Sequence, residues 1–507
     1  MRRPAPTHLP WRLAGAALAG GLTVLALSPR GRGWIAWGAL VPLLVALGGA
    51  TPRATIGLSI VYTIAFSLGG LEPWFARATA AYFGVGLGRM VALTVPPLAL
   101  LATAHGTVLG AILLLGRPRR RGPWDVCWCG ALWVWWEMLR TVFFPYYPAA
   151  LFGLSQEVVL PVLQLASVTG ISGISFVVVA FNVALASLLS SPRPGRPLAA
   201  ALTGVALAAG TVGWGILRLR AAPTGTASGP RIVAVDLDAA DRAASTLDRY
   251  LAASAAVPPG TAMIVWPESA LTADLEHDRA AWNALAAFVA TQQVPLLAGG
   301  PATGRRAGGG VAHFNSAHLV LPGQGMRSYH KRGLVPFAER WPPLAEAWLG
   351  PPPADLVSLD AGHEPTVFPL GDTAFGVLIC FEITNASAAR DLVHAGARFI
   401  VNLTNDAWFA GSGRPPHLPW AAIRAVETGL PVVRAANAGM SAVFDRFGRR
   451  LASSRPAGGP RLFPAAVPAA VPTPYARYGD VFLAACLAVV LAGVVTIWRG
   501  RRATGAR

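Results

Sequence analysis

Long apolar segments occupy most of the first 217 residues, and they constrain the fold more than any other feature of the sequence. Each has about the 20 residues, or ~30 Å of helix, that crossing a bilayer requires. Seven transmembrane helices are predicted here, at 11–28, 33–50, 54–72, 89–115, 125–145, 160–190 and 197–217. An eighth is predicted at 481–498. The chain is therefore expected to pass through a membrane about eight times.

The acidic residues separate a polar segment from the apolar ones. Of the 24 acidic residues, only Glu72, Asp125, Glu137 and Glu157 precede position 221. Charged residues make up 13% of the chain, against about 25% in soluble globular proteins. Three parts are predicted: a seven-helix transmembrane region over 1–222, an α/β domain over 229–470, and a C-terminal transmembrane helix with a basic tail over 477–507.

The net charge of +18 reflects the placement of arginines beside apolar segments. Cytoplasmic ends of membrane spans are enriched in arginine and lysine. With the N-terminus inside, the cytoplasmic pieces would carry Arg2, Arg3, Arg12, Arg53, Arg117, Arg119, Arg120, Arg121, Arg193, Arg196, Arg499, Arg501, Arg502 and Arg507. Arg30, Arg32, Arg218 and Arg220 do not follow this pattern. The other positions predict that the polar segment lies outside the cytoplasm, and the positive charge then requires no nucleic acid partner.

The polar segment alternates between short apolar runs and helical patterns. Strands are predicted at 231–237, 261–266, 294–298, 312–321, 374–379, 399–404, 432–435 and 441–445. Helices are predicted at 239–256, from 267 to about 292, at 387–395 and at 420–428. Strands interleaved with helices indicate an α/β domain with a mostly buried sheet.

Three chemically capable residues follow such runs. Glu268 comes after Ile264-Val265-Trp266-Pro267, and Cys380 comes after Val377-Leu378-Ile379. The third, Lys331, is the only lysine in a chain with 42 basic residues. Because arginine would serve at a surface ion pair, a retained lysine indicates a need for a compact ammonium with a tunable pKa.

Together these residues would form a nucleophilic site. A thiol with a pKa near ~8.5 is mostly protonated at neutral pH, so Glu268 is predicted to take the proton of Cys380 as the sulfur attacks a carbonyl. Lys331 would stabilise the oxyanion. Glu339 and Glu382 are predicted to hold the lysine and keep it charged.

The sequence around these residues resembles the nitrilase, or carbon–nitrogen hydrolase, superfamily. The matching motifs are Trp266-Pro267-Glu268, Tyr329-His330-Lys331 with Leu334-Val335-Pro336-Phe337, and Ile379-Cys380-Phe381-Glu382. With the membrane layout and the stretch Asn405-Asp406-Ala407-Trp408-Phe409, the chain resembles the apolipoprotein N-acyltransferase family. Further matching stretches are Phe314-Asn315-Ser316, Arg424-Ala425-Val426-Glu427 and Asn437-Ala438-Gly439.

This resemblance implies an α-β-β-α sandwich and a ping-pong acyl transfer without a cofactor. Cys380 would take an acyl chain from a phospholipid as a thioester, and a diacylglyceryl-modified apolipoprotein would accept it on its N-terminal cysteine. The enzyme would be a monomer in the bacterial inner membrane with an extracytoplasmic catalytic domain. Aromatic residues expected to contact the lipid substrates are Phe337, Trp341, Phe381, Trp408 and Phe409.

The chain departs from the family pattern at a few positions. Ala338 stands where glycine is usual, and Phe381 stands where tyrosine is common. The first strand, ending at Asp238, lacks the usual glutamine. None of these departures removes a catalytic group.

Other functions remain as alternatives. One is a membrane-tethered amidase or nitrilase that hydrolyses a small amide, and another is an inactive lipid-binding scaffold. A Cys–His hydrolase using His330, His394 or His417 is disfavoured, because it gives Glu268 and the single lysine no role. Four cysteines are too few for a disulfide scaffold, and Cys127-Trp128-Cys129 lacks the partners that a metal site needs.

Overall fold

The structure, a computed structural model, describes most of the chain in two compact units. The described residues are 9–28, 32–71, 76–78, 80–81, 84–115, 122–143, 151–190, 195–221, 229–237, 246–306, 308–342, 346–347, 350–351, 358–409, 417–454 and 461–505. The helical unit comprises 1–222, 411–414 and 480–507, and the catalytic-domain unit comprises 223–410 and 415–479.

Six helices in the described part of the helical unit are long and apolar enough to span a membrane. They are Leu9–Leu27, Pro52–Gly70, Leu87–Leu115, Ile171–Leu189, Gly195–Arg220 and Val481–Arg499. These correspond to six of the eight predicted spans, but 160–190 is wrong as a single helix, because Leu160–Leu163 and Ala166–Thr169 are separate short helices before Ile171–Leu189. The fifth predicted span forms the helix Pro123–Phe143, which is long enough but carries Asp125, Glu137 and Arg140.

The second predicted span, 33–50, is wrong as a single helix. Gly33–Trp37 forms a 3-10 helix and Val41–Ala46 a six-residue α-helix. At 1.5 Å per residue the latter extends about 9 Å, so the segment could cross a bilayer only as a broken span that includes the 3-10 helix. The span was predicted from hydropathy alone. Hydropathy does not show where the hydrogen bonds of a helix are interrupted.

Buried side-chain amides form hydrogen bonds with backbone groups of this broken segment. Asn182 Nδ2 donates to the carbonyl of Ala36 at 2.8 Å, and its Oδ1 accepts from the amide of Leu40 at 2.9 Å. Gln156 Nε2 donates to the carbonyl of Gly33 at 2.8 Å. Irregular backbone in an apolar environment is stable only when such partners are supplied by the protein.

The catalytic-domain unit contains two six-stranded sheets, ordered β12-β1-β2-β3-β4-β5 and β11-β10-β9-β8-β7-β6. Their bounds are β1 Arg231–Asp236, β2 Met263–Val265, β3 Leu296–Arg305, β4 Val311–Leu321, β5 Gly325–His330, β6 Val367–Leu370, β7 Thr373–Ile379, β8 Phe399–Asn405, β9 Val432–Asn437, β10 Ala442–Phe444, β11 Arg450–Ser453 and β12 Arg461–Ala466. In each sheet three neighbouring strands are parallel, β1-β2-β3 and β7-β8-β9, and the outer strands are antiparallel.

The two sheets pack face to face with helices outside. Ile232, Val265 and Leu319 of the first sheet share one buried core with Val377 and Val401 of the second. The helices Thr246–Ser254 and Arg279–Gln292 cover the outer face of the first sheet, in a second buried core. The helices Ala386–His394 and Leu418–Thr428 flank the second sheet. The domain is thus the α-β-β-α sandwich that the resemblance implied.

Candidate active site

Cys380 lies at a sharp turn between a strand and a helix. It follows the buried strand β7 and begins the 3-10 helix Cys380–Thr384. Its φ of +53° is in the left-handed region, which a residue with a side chain adopts at a cost of about 1–3 kcal/mol. Surrounding contacts must therefore hold this turn in place.

Glu382 supplies several of those contacts. Its carboxylate accepts from the backbone amides of Arg332, Gly333 and Ile379, each at 2.8 Å, and from the hydroxyl of Tyr329. We expected Glu382 to hold the lysine, but its hydrogen bonds instead tie the segment after β5 to the turn at Cys380. Backbone amides are abundant where two strands end, and the sequence motif does not show that they point at this carboxylate.

Lys331 is buried between two carboxylates. Its Nζ lies 2.8 Å from Glu339 Oε1 and 3.6 Å from Glu268 Oε1, with only 1% of the side chain exposed. Burial alone would lower the pKa of Lys331, but Glu268, the Cys380 sulfur and Glu339 together raise it above its usual value. The ammonium is therefore charged and directed at the site, as a stabiliser of a developing oxyanion requires.

Glu268 is held at both of its oxygens. Oε1 accepts from Asn315 Nδ2 at 2.8 Å, and Oε2 accepts from the backbone amide of Asn405 at 2.8 Å. Burial raises the pKa of Glu268; Lys331 opposes this shift and Glu339 adds to it. A raised pKa makes the carboxylate a stronger base toward a thiol or an amine.

Strand β3 packs closely against the backbone of Glu268. A Cβ added to Gly299 on β3 would lie 2.6 Å from both the Cα of Glu268 and the carbonyl oxygen of Pro267. Glycine at 299 therefore permits the close approach that sets the position of Glu268.

The Cys380 thiol is neutral in the resting site. Burial, followed by the charge of Glu268, raises the pKa of Cys380 well above its ordinary value, and Lys331 only partly opposes this. A thiolate is the nucleophilic form of cysteine, so a reaction at this sulfur would require a base, and the raised pKa of Glu268 suits that role.

His417 is the histidine nearest the sulfur, with Nδ1 3.9 Å from Cys380 Sγ. Burial lowers its pKa to about 3, with Arg434 and Lys331 contributing. A neutral imidazole does not form a thiolate–imidazolium pair. The other two candidates are engaged elsewhere: His330 with Ser316 Oγ at 2.8 Å, and His394 with the carbonyl of Ala476 at 3.0 Å.

Glu339 is presented by a tight turn that also exposes Phe337. The amide of Val335 donates to Glu339 Oε2 at 2.7 Å, and the amide of Glu339 donates to the carbonyl of Val335 at 2.7 Å. The left-handed residue of this turn is Phe337, with φ of +64°, and not Ala338. Alanine at 338 is therefore compatible with the turn.

The expected aromatic contacts are described only in part. Phe337 is half-exposed and packs edge-on against Trp341, with ring centroids 5.3 Å apart. The ring of Phe381 lies 6.0 Å from the imidazole of His417. Trp408 and Phe409 lie in a 3-10 helix, but their side chains fall outside what the structure describes. Contact of these residues with a substrate stays a prediction.

Sequence reasoning missed two groups that hold the base. Asn315 Nδ2 bridges Glu268 and Glu339, at 2.8 and 2.9 Å, and the second group is the backbone amide of Asn405. Both residues stand in quoted family stretches, and an amide in the middle of an apolar strand was the available signal for Asn315. Among the described residues no cluster of three or more His, Cys, Asp or Glu side chains fits a metal ion.

Comparison with known proteins agrees with both units. The family model of carbon–nitrogen hydrolases matches residues 228–469, and that of the apolipoprotein N-acyltransferase N-terminal domain matches residues 19–184. An amidase structure from Nesterenkonia sp. aligns with 51% of this chain and 96% of its own, at 19% identity and a TM-score of 0.38.

Two relatives match over greater lengths. An apolipoprotein N-acyltransferase of Geobacter metallireducens is 28% identical over 93% of this chain and 92% of its own. One of Bradyrhizobium diazoefficiens is 34% identical over 70% of this chain and 71% of its own. The chain therefore belongs to the apolipoprotein N-acyltransferase family.

Proposed function

We propose that this protein transfers an acyl chain from a phospholipid to the N-terminal amine of a diacylglyceryl-modified apolipoprotein. The observation that supports this most directly is that Glu268, Lys331 and Cys380 lie together in one unit. The chain that contains them belongs to this family. Lys331 Nζ lies 3.6 Å from Glu268 Oε1, and both charged groups act electrostatically on the Cys380 thiol. Because one chain supplies all three groups, we propose that a monomer is active.

In the first half-reaction the sulfur of Cys380 attacks the ester carbonyl of the phospholipid. Glu268 takes the thiol proton as the carbon–sulfur bond forms, and Lys331 stabilises the negative oxygen of the tetrahedral intermediate. The intermediate collapses to a thioester. Glu268 returns the proton to the departing glycerol oxygen, which leaves as a lysophospholipid.

In the second half-reaction the amine of the apolipoprotein attacks the thioester. Glu268 accepts a proton from the attacking nitrogen, Lys331 again stabilises the oxyanion, and the carbon–sulfur bond breaks. The proton returns to the sulfur, so the thiol is restored and an amide is released. A single carboxylate can serve both steps because its raised pKa favours taking a proton and its contact with Lys331 favours releasing it.

The proposed location is the bacterial inner membrane, with the catalytic domain on the extracytoplasmic side. The six apolar helices support membrane insertion, and the distribution of arginines supports this orientation. Both substrates are lipids, which agrees with an enzyme retained in a bilayer.

The test is acyl transfer by the purified full chain in detergent micelles containing phospholipid and a synthetic diacylglyceryl lipopeptide. We expect the wild type and Cys486→Ala to yield N-acylated lipopeptide, and Cys380→Ala to yield none. Cys486 is a matched control because it is also a free, buried cysteine. Normal acylation by Cys380→Ala would refute the proposal. Hydrolysis of small amides without lipopeptide acylation would favour the amidase alternative.

A further inference from the structure

A buried polar network joins the middle of β8 and β9 to the residue that follows β8, and the reaction steps above do not use it. Arg434 on β9 is fully buried and pairs with Asp406, with NH2 and Oδ2 2.5 Å apart. Its NH1 donates to Asn402 Oδ1 at 3.1 Å, and its Nε donates to the carbonyl of Met440 at 3.2 Å. All three guanidinium nitrogens thus have an acceptor.

The network reaches the nucleophile through Asn402. Asn402 Nδ2 donates to the carbonyl of Leu378 at 3.0 Å and to that of Cys380 at 3.5 Å. Arginine can only donate hydrogen bonds, so it selects the amide orientation in which Oδ1 faces Arg434. The Nδ2 group must then face the turn at Cys380, whose φ of +53° needs outside support.

The network reaches the base through Asp406. Asp406 directly follows Asn405, whose amide donates to Glu268 Oε2 at 2.8 Å. The backbone at Gly439 packs closely against the Asp406 carboxylate, since a Cβ added there would lie 2.0 Å from Oδ2. The carboxylate is therefore fixed by Arg434 on one side and by this segment on another, and the Asn405 amide is fixed with it.

Stability alone is a weak reason for such a network. Removing two charges from water costs several kcal/mol per ion, and apolar replacements of buried ion pairs are often neutral or stabilising. We propose that Arg434 is a positioning residue which, through Asn402 and Asp406, holds the turn at Cys380 and the amide that binds Glu268 in a fixed relation. This inference rests on the proposed function for its catalytic consequence, but not for the thiol geometry.

The same domain offers a matched control. Arg424 and Glu427 form another buried ion pair, with 1% of each side chain exposed, on the helix Leu418–Thr428. The carbonyl of Arg424 accepts from Thr428 Oγ1, and the carbonyl of Glu427 accepts from Thr473 Oγ1. A conservative change at Arg424 disturbs a buried charge but leaves the hydrogen bonds of Arg434 to Asn402 and Asp406 in place.

The experiment compares Arg434→Lys with Arg424→Lys in the full-length protein. Three quantities are measured: the thermal midpoint, kcat and KM for lipopeptide acylation, and the rate at which iodoacetamide alkylates Cys380 at pH 8. For Arg434→Lys we expect kcat to fall about 30- to 100-fold with KM within about threefold, because a shift near 1 Å in a catalytic group costs about this much. Alkylation should become about fivefold faster, since a loosened turn exposes the sulfur.

Arg424→Lys is expected to lower the thermal midpoint at least as much while kcat and alkylation stay within about twofold of the wild type. If Arg434→Lys behaves like Arg424→Lys in kcat and alkylation, the positioning role is refuted. A wild type that alkylates normally but never acylates would refute the proposed function, and the alkylation comparison would still test this inference.

A second variant covers the case in which Arg434→Lys does not fold. Asn402→Ala removes the donor to the carbonyls of Leu378 and Cys380 without adding a charge near the sulfur, and it leaves Arg434 its acceptors on Asp406 and Met440. We expect faster alkylation and a lower kcat. Wild-type alkylation and kcat in Asn402→Ala would overturn the inference.

Discussion

Lys331 illustrates how one residue type can be required at one position. Its Nζ is within 2.8 Å of Glu339 Oε1, and the side chain is almost completely buried. A guanidinium is wider than an ammonium and places its charge farther from Cα, so it would displace a carboxylate from this space. The arginine-rich composition of the chain had already indicated such a requirement.

We therefore predict that Lys331→Arg lowers kcat for lipopeptide acylation about 10²- to 10³-fold, the usual cost of losing one oxyanion donor. The control is Arg327→Lys, an exposed position on β5. It should retain wild-type activity within about twofold. Steady-state kinetics on both variants checks this, and an active Lys331→Arg enzyme would contradict the assigned role.

Replacing Glu268 should make the Cys380 thiol ionise more readily and should make acyl transfer slower. Burial and the charge of Glu268 raise the pKa of Cys380, so Glu268→Gln removes one cause of the raised pKa and leaves Lys331 to favour the thiolate. We predict faster alkylation of Cys380 at pH 8 in Glu268→Gln, together with an acyl-transfer rate lowered about 10²- to 10⁴-fold by loss of the base. Slower alkylation of the variant would show that Glu268 ionises the thiol at rest, against this account.

At this scale the sequence predicted the reactive groups better than their supports. Glu268, Lys331 and Cys380 each follow an apolar run or carry rare chemistry, so they could be recognised singly. The hydrogen bonds of Asn315, Asn405 and Arg434 join segments far apart in sequence. Apart from the amide of Asn315 within an apolar strand, such contacts leave no local pattern.

The strands in the middle of each sheet were predicted from the sequence, and the strands at the edges were not. The eight central strands each have a counterpart among the predicted apolar runs, although bounds differ, as for β3, which extends to Arg305. The four that were missed are β5, β6, β11 and β12, and these are the edges of the two sheets. These edge strands are partly exposed, and proline is tolerated at an edge, as at Pro369 in β6 and Pro464 in β12. Their composition therefore gives no strand signal.

Close packing between elements supplies a further prediction. Gly299→Ala would place a methyl group against the backbone of Glu268, at 2.6 Å from its Cα. We expect kcat to fall about 10- to 100-fold as the carboxylate shifts. The control on the same strand is Gly304→Ala, whose nearest neighbour is the ring edge of Phe314 at 3.2 Å, a side chain that can move.

Steady-state kinetics and thermal unfolding of Gly299→Ala and Gly304→Ala test this prediction. Gly304→Ala should keep kcat within about threefold. Equal activity of Gly299→Ala and the wild type would show that the approach of β3 does not set the position of Glu268.

For the whole molecule, the number of apolar segments predicted a membrane protein, and the described structure contains six helices fit to span a bilayer. The segment 33–50 could not be resolved correctly from hydropathy, because its interruption depends on the amides of Asn182 and Gln156. The orientation of the protein in the membrane is predicted separately, from the placement of its arginines.

That orientation is tested by labelling introduced cysteines in intact cells with a membrane-impermeant maleimide, in a background where Cys127 and Cys380 are replaced by serine and only the buried Cys129 and Cys486 remain. Gly308 in the α/β domain and Arg53 in the first turn of the helix Pro52–Phe66 are both exposed. We predict that Gly308→Cys is labelled and that Arg53→Cys is labelled only after the cells are permeabilised. The reverse pattern would contradict an extracytoplasmic catalytic domain.

The most direct test of the central claim is the intact mass of the full-length protein after incubation with phospholipid and no acceptor. The account predicts a gain equal to one fatty acyl group on Cys380, removed by hydroxylamine and absent from Cys380→Ala. An unchanged mass of active enzyme under these conditions, or an adduct that persists in Cys380→Ala, would contradict transfer through a thioester at this cysteine.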